Sequence, residues 1–427
     1  MLIDNRDGLP RGDSDSPVLV TDPRQGIPPV VDTPEALADA AARLTEGRQP
    51  VALDVERAQG FRYGADPFLV QVRREDVGTF LIDTHALPDL SVLAEGVDEV
   101  WILHDAEQDL PNLAQVGLEP PALFDTEVAA RLTGITHFGL AAVCEQVLGL
   151  ALVKDHQASD WSVRPLPPDW LRYAALDVEL LTELYRRLSH TLHDLDRWEW
   201  AQEEFDHVMS TPAPTPKPDR WRSLPGAGRI TSRRGLGVLR ELWEARDAVA
   251  REIDLSPGRL VRNAALVRAA QQPPRNRRSL LSIGEFRSPV ARQYTDTWLR
   301  AINRAVTADG GDLPPRRMPV APGSVPEARH WAHLDPEAFL RLKAVRAAAA
   351  EIGDGVGLSS EVILEPRDQR FLAWAPLDPS MTALDAVAER LEESDARPWQ
   401  RALVTEAAVE AMTAPSKFLE EHARHAD

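Results

Sequence analysis

Three short runs rich in β-branched and aliphatic residues, "PVALDVE" (50–56), "FLVQVRR" (68–74) and "TFLIDT" (79–84), constrain this chain more than any other feature. Turn-prone "GADP" and acidic "EDVG" separate them, which predicts an antiparallel meander. An amphipathic helix over "TPEALADAAARLTEG" precedes them, with Thr33 as its N-cap and Glu35 in its first turn. Alternating helices and a further strand, "VWILHD" (100–105), follow. Strands interleaved with helices in this way predict a mixed α/β sheet.

The pattern from Pro168 to about Met209 is helical almost throughout, and then "STPAPTPKPDRWRSLPGAG" breaks it with prolines. Residues 233 to about 307 read as helices with Gly/Pro-punctuated turns. A second Pro-rich stretch, "GDLPPRRMPVAPGSVPEA", precedes another helical region that runs to the end. The expected organisation is a polar, poorly ordered tail (1–27), an α/β domain (28–210), a linker (211–232), a helical domain (233–310), a second linker (311–328) and a second helical domain (329–427). The two helical regions read as a weak repeat: Leu239–Val261 aligns without a gap on Leu342–Leu364, and Leu255-Ser256 falls on Leu358-Ser359.

A chain of 427 residues is too long for one ordinary domain. Its net charge of −19 excludes a protein that simply coats nucleic acid. The charge is uneven, however: residues 220–300 carry about twice as many arginines as acids, which points to a polyanionic partner. Cys144 is the single cysteine, so no intramolecular disulfide can form, and its helical surroundings predict core packing. No apolar run approaches the ~20 residues that span a bilayer, and the N-terminus lacks a signal pattern. A cytoplasmic protein with no membrane association is expected.

Acids stand where the apolar pattern should continue. Asp54 and Glu56 are two apart on a strand, so both side chains share one face while Val51, Leu53 and Val55 take the other. An acidic face on an interior strand is costly unless a cation neutralises it, and hard divalent ions such as magnesium or manganese suit carboxylate oxygens. Asp109 falls in the first turn of the helix after "VWILHD", where complementing the helix dipole is an alternative role. Tyr173 and Asp177 are four apart and share a helical face, which a plain polar stripe would also explain. His104 is read as structural, satisfying backbone near the strand end.

Taken together and in this order, the segments resemble the ribonuclease D family within the DEDD exonuclease superfamily. The resemblance rests on Asp54-Val-Glu56, on "HDAEQDL" ending in Asp109-Leu110, and on Tyr173-Ala-Ala-Leu-Asp177 with its lead-in "SDWSVRPLPPDWLR". The tyrosine four residues before the last acid marks the DEDDy subgroup. The helical repeats look like tandem HRDC domains. Val55 stands where threonine is commoner in the family, and "RAQGFRYG" replaces a Tyr-Tyr-Pro-type stretch, but no acid is lost.

This resemblance implies a ribonuclease H-like exonuclease domain followed by two HRDC-like helical domains. It also implies a 3′→5′ exoribonuclease that releases 5′-nucleoside monophosphates from RNA 3′ ends, tRNA precursors among them. Asp54, Glu56 and Asp177 would hold one Mg²⁺ or Mn²⁺ and Asp54 with Asp109 a second, the ions ~3.5–4 Å apart. Tyr173 would orient water, since a phenol of pKa near ~10 is a poor base at neutral pH.

Phe61, Arg62 and Tyr63 on the following loop either meet the terminal nucleotide or pack on the surface. The first helical repeat carries Arg233, Arg234, Arg259, Arg262, Arg268, Arg275, Arg277 and Arg278. These form either a solvated face or phosphate contacts, with Arg275, Arg277 and Arg278 expected in a loop. The acidic second repeat is expected to pack on the rest of a monomeric chain. A DNA-directed exonuclease and a silent RNA-binding scaffold are the competing readings.

Overall fold

The structure is a computed structural model that describes residues 16–152, 158–212, 215, 218–318 and 324–423. The first region opens with β1 (Val18–Val20), β2 (Val30–Val31) and helix α1 (Pro34–Leu44). The meander follows as β3 (Val51–Arg57), β4 (Pro67–Arg74) and β5 (Gly78–Ile82), then β6 (Val100–Leu103), α2 (Ala106–Gln115), β7 (Ala122–Asp125), α3 (Thr126–Leu132) and α4 (Leu140–Val143). β8 (Leu150–Leu152) and the long helices α5 (Pro168–Asp194) and α6 (Trp198–Ser210) complete the region.

Six strands form one sheet in the order β2-β5-β4-β3-β6-β7. The pairs β3–β4 and β4–β5 are antiparallel, whereas β3–β6, β6–β7 and β2–β5 are parallel. Register and alternation place Leu53, Val55, Val70, Val72, Phe80 and Ile82 on one face, where they share a core with Leu37, Ala40 and Leu44 of α1. Asp54, Glu56, Leu69, Gln71 and Leu81 stand on the other face, and α5 lies across β3, β4 and β5. Thr33 caps α1 as its spacing predicts, accepting from the Ala36 amide at 3.2 Å. Cys144 is fully buried in the core and its thiol is pushed up to about 12 by burial.

The tail reading needs correction. Residues 1–15 lie outside the described residues, but β1 pairs in parallel with β8, Val18 to Leu150 and Val20 to Leu152. Three β-branched or aliphatic residues with an available edge outweigh the polar surroundings that predict disorder.

The first helical unit comprises α7 (Arg233–Glu252), α8 (Pro257–Leu260), α9 (Asn263–Gln271), α10 (Arg277–Leu281), α11 (Pro289–Gln293) and α12 (Thr295–Thr307). Its core is separate from that of the sheet and holds Trp298, Phe286, Leu239, Leu242 and Leu266. The flanking Pro-rich stretches are not free linkers. Trp221, Ala227 and Ile230 are buried in this core, and Leu313 is also buried. Arg222 and Arg233 donate to the carbonyls of Pro315 and Pro314. Proline stops helices but does not stop a neighbouring tryptophan from burying its ring.

The second unit comprises α13 (Trp331–Leu334), α14 (Pro336–Val356), α15 (Ser360–Ile363), α16 (Pro366–Trp374), α17 (Ala383–Glu393), α18 (Pro398–Thr413) and α19 (Pro415–Ala423). Its first long helix and two short successors begin at Pro336, Ser360 and Pro366, the same spacing as Arg233, Pro257 and Asn263. The ungapped repeat is therefore structural. The two units join the sheet region differently. Leu342, Val345, Leu372 and Trp399 belong to the same apolar cluster as the sheet. Trp399 stacks on Trp200 of α6 with ring centroids 4.7 Å apart, and its indole N–H donates to Glu204 at 2.8 Å. Gly134, at φ +88°, lets the chain after α3 run so close to α14 that a Cβ there would lie 2.7 Å from the Gly357 carbonyl oxygen.

Candidate active site

The structure gathers the acids from β3, α2 and α5. Asp54 and Glu56 project from the α5-facing side of β3, and Asp177 meets them from α5. One oxygen from each of these three lies within 4.8 Å of the others. Asp109, on α2, stands beside that triple and raises the proton affinity of Glu56 by its charge. Glu56, Asp109 and Asp177 are all buried. Tyr173 shares the α5 face with Asp177 and hydrogen-bonds to it.

Burial strips water from these carboxylates and mutual repulsion adds to the cost. Desolvation is the largest cause in each case, and it lifts Asp54 above the usual carboxylate range and Glu56, Asp109 and Asp177 well above it. The Tyr173 hydroxyl is likewise pushed up, by burial first and then by Asp177, Glu56 and Asp54. Asp109 Oδ1 is buried and accepts no hydrogen bond, although the Arg57 guanidinium is 3.2 Å away. Crowded acids that share the single guanidinium of Arg57 among the described residues present the oxygen donors a hard divalent cation binds. The acidic cluster Asp54, Glu56 and Asp177 could hold such an ion.

Arg57 and Asp125 take part in the site without having been singled out from sequence. The β3–β4 register shifts between Glu56 and Arg57. Arg57 reaches α2, donating to the Gln108 carbonyl at 2.6 Å and to Asn112 Oδ1 at 2.9 Å as it pairs with Asp109. Asp125, at the end of β7, accepts from the Ala106 amide at 2.7 Å and also caps α3 through Glu127 at 2.8 Å. It thereby holds the N-terminus of the helix that carries Asp109. An Arg directly after Asp-x-Glu is a weak signal, and the double cap is invisible without the fold. His104, expected to be structural, has its Nδ1 2.9 Å from Thr126 Oγ1, and burial lowers its pKa to about 4.

Phe61, Arg62 and Tyr63 meet the first helical unit. The Ser256 amide donates to the Phe61 carbonyl at 2.9 Å, and Arg62 pairs with Asp254 at 3.3 Å. The Tyr63 hydroxyl donates to Asp247 at 2.9 Å and accepts from Arg251. Arg259 donates to the Gly60 carbonyl and lies 3.8 Å over the Phe61 ring. Arg259 and Arg262 line an open cleft of about 1010 Å³ together with Arg268 and Arg287. Arg275, Arg277 and Arg278 are not among that cleft's lining residues. Arg277 and Arg278 begin α10, capped by Asn276, so the loop expectation holds only for Arg275. Arg233 and Arg234 donate to backbone carbonyls of their own unit.

A buried carboxylate group on a mixed sheet, with a tyrosine one helical turn before the last acid, defines the 3′→5′ exonuclease class. A family model described as a 3′-5′ exonuclease matches residues 28–193, and an HRDC domain model matches 235–302. The second helical unit matches a model of its own, the 3′ to 5′ exonuclease C-terminal domain, over 324–412. Ribonuclease D of Gluconacetobacter diazotrophicus is 30% identical over 360 residues, 82% of this chain and 87% of that protein. A crystal structure of a protein from Bifidobacterium adolescentis is 36% identical and superposes with a TM-score of 0.85, covering 93% of this chain and all of that one. Escherichia coli RNase D shares the fold at a TM-score of 0.60 and 23% identity, over 86% of this chain and 98% of its own. The chain belongs to the ribonuclease D family and is a hydrolytic 3′→5′ exoribonuclease.

Proposed function

We propose that this chain trims 3′ ends of structured RNA in the cytoplasm, tRNA precursors among them, and releases 5′-nucleoside monophosphates. The observation that carries this reading is the clustering of Asp54, Glu56 and Asp177, one oxygen from each within 4.8 Å of the others, with buried Asp109 beside them and Tyr173 at the edge. In it, Asp54, Glu56 and Asp177 hold one divalent ion and Asp54 with Asp109 a second, Mg²⁺ or Mn²⁺. Bound there, the ions would supply positive charge for the attacked phosphate and make water more acidic. Asp177 keeps the Tyr173 ring in place through their hydrogen bond. As a phenol of ordinary pKa near ~10, Tyr173 orients the attacking water and does not deprotonate it. Arg57 keeps Asp109 turned toward the other acids. The exposed arginines of the 1010 Å³ cleft contact backbone phosphates of the incoming strand without reading its sequence. A monomer suffices, since all these groups come from one chain.

The test is hydrolysis of 5′-labelled RNA and DNA single strands with and without Mg²⁺ or Mn²⁺. Asp54→Asn or Asp177→Asn should abolish metal-dependent shortening of RNA while the protein stays folded. Tyr173→Phe should keep metal binding and lose much of the rate. Full activity in Asp177→Asn would sink the metal assignment, and faster shortening of DNA than RNA would sink the substrate assignment.

A further inference from the structure

Gln71 lies in the middle of β4, wholly buried, and neither polar atom of its carboxamide has a hydrogen-bond partner. The register sets it opposite Asp54 on β3 and opposite Leu81 on β5. Its side chain therefore stands on the same sheet face as Asp54, and directly opposed residues of this kind hold their Cβ atoms about 4.5–5.5 Å apart. Leu69 and Leu81, next to it on that face, pack with Ala174 and Ala175 of α5 and offer no side-chain polar atom. Arg73, two residues on, donates to Thr79 at 2.8 Å. The carboxylate opposite is thus the polar group best placed to meet this amide.

A buried amide left without partners costs about 1–3 kcal/mol, and a leucine or methionine would fill the same space without that cost. The geometry points to a role that begins when the acids take up a cation. We propose that Gln71 is a positioning residue for Asp54: its amide N–H donates to the Asp54 carboxylate as that carboxylate coordinates a divalent ion. Ligating carboxylates are commonly held by such outer hydrogen bonds, which fix the direction of their lone pairs. In this arrangement Gln71 would do for Asp54 what the Arg57 ion pair does for Asp109, while Asp177 and Tyr173 share a hydrogen bond. The inference rests on the reading of Asp54 as a metal ligand.

Mn²⁺ binding is measured by titration calorimetry on the full-length wild type, Gln71→Met, Gln71→Leu and Asp177→Asn, with melting curves in chelator and in Mn²⁺. The two apolar variants should melt in chelator at or above the wild-type temperature. They should also bind Mn²⁺ about ten- to a hundredfold more weakly. Their kcat should fall with little change in KM for RNA. Wild-type Mn²⁺ affinity in both variants would overturn the inference, as would a lowered metal-free melting temperature with unchanged affinity. Should the apolar variants fail to fold, Gln71→Asn decides in their place: weaker Mn²⁺ binding supports the role and wild-type affinity removes it. Asp177→Asn separates the two levels. If it binds Mn²⁺ like wild type, the metal-site reading fails; if it loses binding while the Gln71 variants keep it, only the role of Gln71 fails.

Discussion

The two helical units share an order of helices but hold the nuclease in opposite ways. The C-terminal unit merges its apolar core with that of the sheet, with the Trp200–Trp399 stack and the Arg397–Glu204 pair (2.9 Å) at the seam. The HRDC unit keeps its own core, and Tyr63 of the nuclease packs against it. Beyond it, Arg259 lies over the Phe61 ring, and exposed polar contacts add to the attachment: in the Arg62–Asp254 pair both side chains are about half in solvent, at 44% and 59%. Area removed from water sets the strength of the first join, while exposed ion pairs contribute ~0–1 kcal/mol each to the second. A fused unit behaves as part of the enzyme's body.

The largest effect that could break this comparison is at the seam. Trp399→Ala should cost about 3–5 kcal/mol and lower the unfolding temperature of the nuclease together with the C-terminal unit. Hydrogen exchange followed helix by helix would expose the contrast, and a loss confined to α17–α19 would show that the cores are not one.

Next is RNA affinity. Charge reversal of Arg262, Arg268 and Arg287 should weaken single-stranded RNA binding at least tenfold and flatten its salt dependence by roughly 0.7 log unit for each phosphate no longer neutralised. Reversing exposed acids of the C-terminal unit should leave that slope alone. Equal effects on both units would erase the functional side of the contrast.

The acids offer a third, pH-dependent probe. Glu56, Asp109 and Asp177 bind protons more tightly when folded than when unfolded. The stability they contribute without metal is therefore present below their unfolded values near ~4 and is lost as pH rises through the elevated folded ones. Melting curves in chelator should show this downward trend with rising pH, and Mn²⁺ should raise the melting temperature more at pH 8 than at pH 5. The rise should appear in the nuclease and the C-terminal unit together and leave the HRDC transition in place. A metal-induced shift that did not depend on pH would count against these acids as ligands. The smallest effect belongs to Arg62→Ala, expected to change stability by less than ~1 kcal/mol while increasing exchange at Ser256 and Tyr63.

Much of the site was legible because it lies in short local patterns. Asp-x-Glu on a strand has to share a face, and Tyr-x-x-x-Asp on a helix has to share a stripe, whatever the rest of the chain does. The helical repeat was equally local, and its spacing survived intact in α7–α9 and α14–α16. Where the readings slipped, a distant partner decided the matter. Val18–Val20 is ordered by β8, and Trp221 is buried by a core built mostly from residues 233–307. Arg277 and Arg278 turned helical because Asn276 and Ser279 form a reciprocal cap. Phe61, Arg62 and Tyr63 fit either a nucleotide contact or surface packing in sequence, and in the fold they touch the HRDC unit.

Most of the elements, the identity of the acids and the tyrosine, and the family to which they point can be read from the chain alone. Periodicity and spacing are properties of nearest neighbours along the chain. The burial and crowding of these acids, the contacts of Arg57 with Asp109 and of Asp125 with the start of α2, and the unpaired Gln71 opposite Asp54 arise only on folding. Desolvation and charge repulsion depend on what lies across the gap between strands and helices, and that gap is closed by folding.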